Sequence, residues 1–161
     1  MVISPTSWTI TPEDEQALRH GMERLLQECS AHCAMLVDRG GQLLVLAGER
    51  PAFDATTFAT LTAADFSAND QLARLLGQTE FSSLFHQGDR DSMLVSDIAR
   101  KAILVVLFDS RTTLGLVRLR LRPTTEHLAR IVDAMAARDA QAGAPRAILA
   151  GADDEIDRLF Q

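Results

Sequence analysis

101-KAILVVLFDSRTTLGLVRLRL-121 joins two unlike halves. Ala102–Phe108 is an unbroken apolar run rich in Val, Ile and Leu. Neighbours along a strand point to opposite faces, so a run without a polar position has no face to offer water. It predicts a central strand covered on both sides. Asp109–Thr113 turns the chain. Leu116–Arg122 then alternates Leu-Val-Arg-Leu-Arg-Leu-Arg, as a half-buried strand does, and Pro123 argues against a helix running through it. Leu114, Val117, Leu121, Leu128, Ile131, Val132 and Met135 also fit a helical stripe. On the residues alone, the reading is a strand to Arg122 and a helix from Thr124, with Thr124 as N-cap and Glu126 in its first turn.

Working outward, Phe81–Gln87 and Met93–Ser96 are further strand-like runs, with turns at Gly88–Asp91 and Asp97–Arg100. Consecutive strands with short turns predict an antiparallel meander ending in Ala102–Phe108. Ala55–Leu76 reads as a long helix closed by Gly77. Phe58, Leu61, Ala64, Ala68, Leu72 and Leu75 mark its apolar face; Thr62, Asp65, Ser67 and Gln71 mark the other. Such a small-residue face suits either the chain's own sheet or another protein. Cys33–Val37 and Gln42–Ala47 flank Asp38-Arg39-Gly40-Gly41 and predict a hairpin. Thr11-Pro12-Glu13-Asp14 opens a helix over about residues 12–30, with Leu18, Met22, Leu25, Leu26 and Cys29 on one face. Ser7–Ile10 leaves room for a short extended segment before it.

The chain divides into a domain over 1–138, a small-residue linker over 139–150 beginning Asp139-Ala-Gln-Ala-Gly-Ala-Pro145, and a tail over 151–161. In the tail, acids precede Ile156, Leu159 and Phe160, which recur at i, i+3, i+4. This is the pattern of a short amphipathic helix. It reads either as a frayed terminus or as a docking motif for a partner's groove.

Composition narrows the function. With 161 residues, 47% hydrophobic and 24% charged, the chain is sized for one domain with a proper core. A net charge of -6 argues against a generic nucleic-acid binder. No run is apolar enough for a membrane helix, and the N-terminus lacks a basic signal region, which leaves the cytoplasm as the expected location. Lys101 is the single lysine and is followed by Ala102, so a Gly-Lys-Ser/Thr phosphate loop is excluded.

Catalytic and metal-binding patterns are missing. Cys29 and Cys33 have helix-neighbour spacing, but no histidine pair completes a zinc set. His86, in Phe85-His86-Gln87-Gly88, reads as a structural histidine at a turn, with a general base as the alternative. Asp89 and Asp91 flank Arg90 in a turn and read as solvated. Expected are no catalytic residues, no cofactor and no metal. Charge is segregated, however: from Ile98 to Arg138 there are Arg100, Lys101, Arg111, Arg118, Arg120, Arg122, Arg130 and Arg138 against Asp109, Glu126 and Asp133. That excess reads as a solvated face or as an electrostatic docking surface for an acidic partner.

The order helix–strand–strand–helix–strand–strand–strand–helix is similar to that of roadblock domains. Leu75–Ile131 closely resembles the bacterial MglB group of that family. The resemblance rests on Leu76-Gly77 before Glu80-Phe81, Phe85-His86-Gln87-Gly88, Val106-Leu107-Phe108-Asp109 and 111-RTTLGLVR-118, with 36-LVDRGGQL-43, Leu61-Thr62-Ala63 and the tail 153-DDEIDRLF-160. It implies an α/β (α+β) roadblock fold: a five-stranded antiparallel sheet flanked by helices in the order α-β-β-α-β-β-β-α, plus a short C-terminal helix. In this family the helix starts at Leu114, and that assignment replaces the strand over Leu116–Arg122. The resemblance also implies a homodimer meeting through Phe58, Leu61, Asp65, Leu72, Phe81 and Leu84. Its partner would be an MglA-like Ras-family GTPase, two regulator chains to one GTPase, contacted by Ser67, Gln71, Arg118, Arg122, Glu126 and Arg130. Ile156, Leu159 and Phe160 would dock on the GTPase and assist nucleotide exchange. Such a regulator speeds GTP hydrolysis by repositioning the GTPase's own residues, and acts in cell polarity and gliding motility at a cell pole. The alternatives are a non-catalytic scaffold that tethers a GTPase or motor component, and an enzyme built on His86.

Overall fold

The computed structural model describes residues 9–143. Its elements are α1 (Pro12–Cys29), β1 (Cys33–Asp38), β2 (Leu43–Gly48), α2 (Ala55–Leu75), β3 (Ser83–Gln87), β4 (Ser92–Ile98), β5 (Ala102–Phe108) and α3 (Leu114–Gly143). The strands form one antiparallel sheet in the order β2-β1-β5-β4-β3. β5 therefore lies in the middle, and all of its residues are buried. Ala102, Leu104, Val106 and Phe108 face α1 and α3, while Ile103, Val105 and Leu107 face α2. Both faces of the expected central strand are thus covered by helices.

α1 begins with a capping box: Asp14 N donates to Thr11 Oγ1 at 3.2 Å and Thr11 N to Asp14 Oδ2 at 3.0 Å. Arg138, near the far end of α3, also binds Asp14 and holds its carboxyl below the usual carboxylate range. The first turn of α1 is thereby tied to the last turns of α3. Gly21 lets the two helices close in, since a Cβ there would sit 3.1 Å from His127 and 3.2 Å from Leu128. The β1–β2 turn passes beneath α2. Gly41 has φ +93°, and a Cβ on it would meet the Thr60 backbone at 2.9 Å.

Of the two arrangements left open for α2, the structure shows the one in which the leucine stripe faces away from the sheet. Ala59, Thr62, Ala63, Phe66, Asn69 and Ala73 are buried, a row at helical spacing. Leu61, Ala64, Ala68, Leu72 and Leu75, the face expected from hydrophobicity, point the other way and are exposed. Thr62, expected on the polar side, lies inside. Most of the row is made of small side chains, and Phe66 is its one large, fully buried member. Polar groups anchor it further. Arg39 of the hairpin turn donates to Asp70 of α2 at 2.8 Å, pairs with Asp97 of β4, and stands 4.9 Å over the Phe66 ring.

α3 runs through Pro123. Val117, Leu121, Leu128, Val132 and Met135 form its buried stripe, so the helical reading of Leu116–Arg122 holds and the strand reading does not. The alternation arose from one residue, Leu119, which is 66% exposed and takes no part in the core. Proline removes one helical hydrogen bond and crowds a carbonyl. Here it sits on the exposed side, and the hydroxyls of Thr124 and Thr125 donate to the carbonyls of Arg120 (3.1 Å) and Arg122 (2.8 Å) around it. The helix also continues to Gly143, so residues 139–143, expected to open the linker, are helical. Asp139-Ala140-Gln141-Ala142 holds no helix breaker, and Asp139 accepts from Thr9 N at 3.1 Å. The remaining linker and the tail with Ile156, Leu159 and Phe160 lie outside the described residues. Elsewhere β3 starts two residues later than expected, and β4 extends to Ile98. Pro123→Ala restores the missing bond without touching the buried stripe. It should raise stability to chemical denaturation by roughly 1–3 kcal/mol; an unchanged or lowered midpoint would show that the helix is built around the proline.

Candidate functional site

Two surfaces stand out, on opposite sides of the sheet. The first is α2 with β3. Asp54 caps the N-terminus of α2 through Thr57 N at 3.1 Å, and Leu76 N closes its end on the Leu72 and Ala73 carbonyls. Between these caps a line of apolar residues faces outward: Leu61 is 64% exposed, Leu72 55% and Leu75 84%, with Leu76 beyond them at 70%. Leu61, Ala68 and Leu75 repeat every seven residues, a spacing that keeps them in one line along a helix. β3 forms one edge of the sheet and lies next to this helix, since His86 Nε2 meets Asp65 Oδ2 at 2.8 Å. The partner of His86 is thus a carboxylate on α2, whereas the sequence reading placed its hydrogen bond at the turn.

Of the residues expected at a homodimer interface, Phe58, Leu61, Asp65 and Leu72 lie on α2, Leu84 on β3 and Phe81 just before it. The structure brings these two elements together. Phe58 and Leu84 also pack partly on the core beneath α2. Leu75 and Leu76 belong to the same exposed surface and were not among the expected site residues. Their signal was present in the sequence, in a leucine stripe that runs on to the glycine stop at Gly77.

The second surface is the outer side of α3, where Arg118, Leu119, Arg120, Arg122, Glu126 and Arg130 are exposed. Ser67 and Gln71, also expected to meet the GTPase, are exposed on α2. Because α2 and α3 cover opposite faces of the sheet, one chain does not gather all six residues on one surface.

Chemistry is sparse. Cys29 lies in the core under α1 and α3, and Cys33 in the core under α2. Burial raises both thiols, Cys33 to about 11, so neither is a ready nucleophile or metal ligand. His32, Asp91 and Asp109 bring potential ligand atoms within 4.8 Å of one another. They are already engaged: His32 Nε2 meets Asp91 at 3.1 Å, and hydrogen bonds from Arg111 hold Asp109 at about 2. Sequence spacing hides this cluster, because its members come from three separate turns. Among the described residues no helix is long and apolar enough to cross a membrane.

Comparison with known proteins identifies the fold. The Roadblock/LC7 domain matches residues 22–108, from the middle of α1 to the end of β5. The chain belongs to the Roadblock/LC7 family. Among solved structures, the roadblock chain is similar to MglB of Myxococcus xanthus (38% identity, 73% of this chain and 95% of that one, TM-score 0.70). It is also similar to the gliding protein MglB of Thermus thermophilus (32%, 81% and 98%, 0.75) and to an MglB with tetrameric arrangement (31%, 82% and 99%, 0.77).

The two faces of α2 predict contrasting effects on this roadblock domain. Phe66→Ala should cost about 3–5 kcal/mol in denaturant unfolding. Leu75→Ser, measured at protein concentrations too low for self-association, should change stability by no more than about 0.5 kcal/mol. Equal costs would mean that the wrong face has been assigned to the core.

Proposed function

We propose that this chain is a homodimeric activator of an MglA-type, Ras-family GTPase, in the manner the MglB resemblance implies. The observation that carries the reading is the leucine line of α2 beside the edge strand β3, in a chain whose MglB relatives align over nearly their whole length. Burying Leu61, Leu72 and Leu75 against a second copy would contribute roughly 1.5–3 kcal/mol per fully covered side chain, and an edge strand offers unpaired backbone groups for the same contact. The dimer places two α2 helices side by side, and Ser67 and Gln71 on them are the residues proposed to meet the GTPase. Arg118, Arg122, Glu126 and Arg130 form the second proposed contact, presented from the other side of the sheet.

The chain supplies position, and the GTPase supplies the chemistry. In this reading the chain contributes no catalytic residue of its own, and the His86–Asp65 and His32–Asp91 pairs are structural. Hydrolysis in Ras-like proteins depends on how a water and the phosphate oxygens are held, so ordering the GTPase's own loops is enough to accelerate it. The tail, with Ile156, Leu159 and Phe160, is proposed to dock elsewhere on the GTPase and assist exchange. Action at a cell pole in motility belongs to this reading.

The test is single-turnover GTP hydrolysis by a cognate MglA-type GTPase. Wild-type chain should accelerate it by roughly tenfold or more, with saturation at two chains per GTPase. Leu61→Asp with Leu72→Asp should abolish acceleration while leaving circular dichroism unchanged. Arg118→Ala, Arg122→Ala and Arg130→Ala should each retain the maximal rate at saturation, since no arginine enters the reaction. Binding without acceleration would replace the activator by a tethering scaffold; loss of the maximal rate in one arginine variant would replace repositioning by an inserted arginine.

A further inference from the structure

The basic end of α3 is sparsely paired among the described residues. Other cations at its margins are paired: Lys101 with Asp133, Arg111 with Asp109 and Arg138 with Asp14. Arg118 and Arg120 have no carboxylate within 4.0 Å among the described residues, and Arg122 has only Glu126, at 3.8 Å. Arg130 turns its Nε to the Glu126 backbone carbonyl at 3.3 Å. Leu119 stands exposed among these arginines. All of them but Arg130 lie within the first three turns of α3. This face combines positive charge with an apolar centre.

The chain itself carries the complementary segment. In 153-DDEIDRLF-160, four acids stand within five residues, interleaved with and followed by Ile156, Leu159 and Phe160. The distances permit contact. At about 1.5 Å per residue, Arg122 lies roughly 32 Å and Arg118 roughly 38 Å back along α3 from Gly143. The ten to fourteen residues from Gly143 to Asp153–Asp157 span about 33–50 Å when extended. The acids therefore reach the arginines, and a helix further along would bring Ile156, Leu159 and Phe160 beside Leu119.

We propose that, in the free protein, the acidic tail 151–161 folds back onto the Arg118–Arg122 face of its own chain's α3. Four carboxylates meet an unneutralised arginine set, and the tail's apolar edge covers Leu119. Contact within one chain is favoured over contact between chains, because the linker holds the tail at a high effective concentration. A consequence rests on the reading that the tail docks on a GTPase: a tail held on α3 is withheld from the partner, and the partner must displace it. The tail would then set a threshold for its own docking.

The test needs no GTPase, so its failure is distinct from failure of the functional reading. Gln161→Cys in the full chain takes a nitroxide label, while Cys29 and Cys33 are buried and their thiols raised, so they stay unlabelled. At low salt the label should broaden amide signals of residues 118–130 and leave β2 untouched. The effect should fade at about 0.5 M salt, where exposed charges are screened. Arg118→Glu with Arg122→Glu should remove it. Asp153→Asn, Asp154→Asn and Asp157→Asn together should also remove it, with the amide spectrum of residues 9–143 otherwise unchanged. Absence of broadening on α3, or persistence in both variants, would overturn the proposal. So would broadening that appears only when labelled, isotope-free chain is mixed with unlabelled, isotope-enriched chain, which would place the tail on a second copy.

Discussion

The fold depends on β5 having no side that tolerates water. Ala102–Phe108 buries every side chain, which requires one helical layer over Leu104 and Val106 and another over Ile103 and Val105. The two layers are unequal. On one face α1 and α3 lie side by side, locked together by Gly21, by Asp14 with Arg138, and by long aliphatic stripes. On the other, α2 alone covers the sheet. A single helix on a five-stranded sheet leaves the flanks of its own layer open, and here its outward side is apolar as well. From that inequality follow the exposed leucine line and its closeness to the edge strand β3.

α2 is held to the sheet partly by polar groups. Arg39 reaches from the hairpin turn to Asp70 on α2 and Asp97 on β4, with Phe66 beneath its guanidinium. Thr62 and Asn69 are buried in the same layer. Such groups give position more than stability, because burying charge costs much of what the pair returns. They fix how α2 rotates on the sheet, and so determine which residues face outward. Had Leu61, Leu72 and Leu75 turned inward, the small residues Ala59, Ala63 and Ala73 would have faced out and the leucine line would be lost. Arg39 and its two aspartates are in this sense positioning residues for the surface on the far side of the helix.

Much of this was legible from residues alone. The apolar run of β5, the glycine hairpin, the capping box of α1 and the glycine after α2 are local signals, and each element lies where its signal placed it to within a few residues. Two features were not legible locally. The residues leave the rotation of α2 open, because its strongest hydrophobic face is not the one that packs inside; small residues such as Ala59 and Ala63 are weak hydrophobic signals yet fit closely against a sheet. The start of α3 was misread because Leu119 mimics a strand alternation, and only the family resemblance corrected it. Placement on opposite sides of the sheet separates Ser67 and Gln71 from the α3 arginines, a division that no spacing along the chain reveals. The His32, Asp91 and Asp109 cluster is likewise assembled by topology from three turns.

The central claim is that α2 and β3 form one surface completed by a second copy of the chain. Hydrogen exchange at the backbone amides of Ser83–Gln87 reads this directly, because β3 is paired on one side only. Measured from dilute to concentrated protein, the β3 amides that point away from β4 should slow as concentration rises, while amides of β2, at the opposite edge, keep a constant rate. Concentration-independent exchange along β3, or slowing confined to β2, would contradict the account.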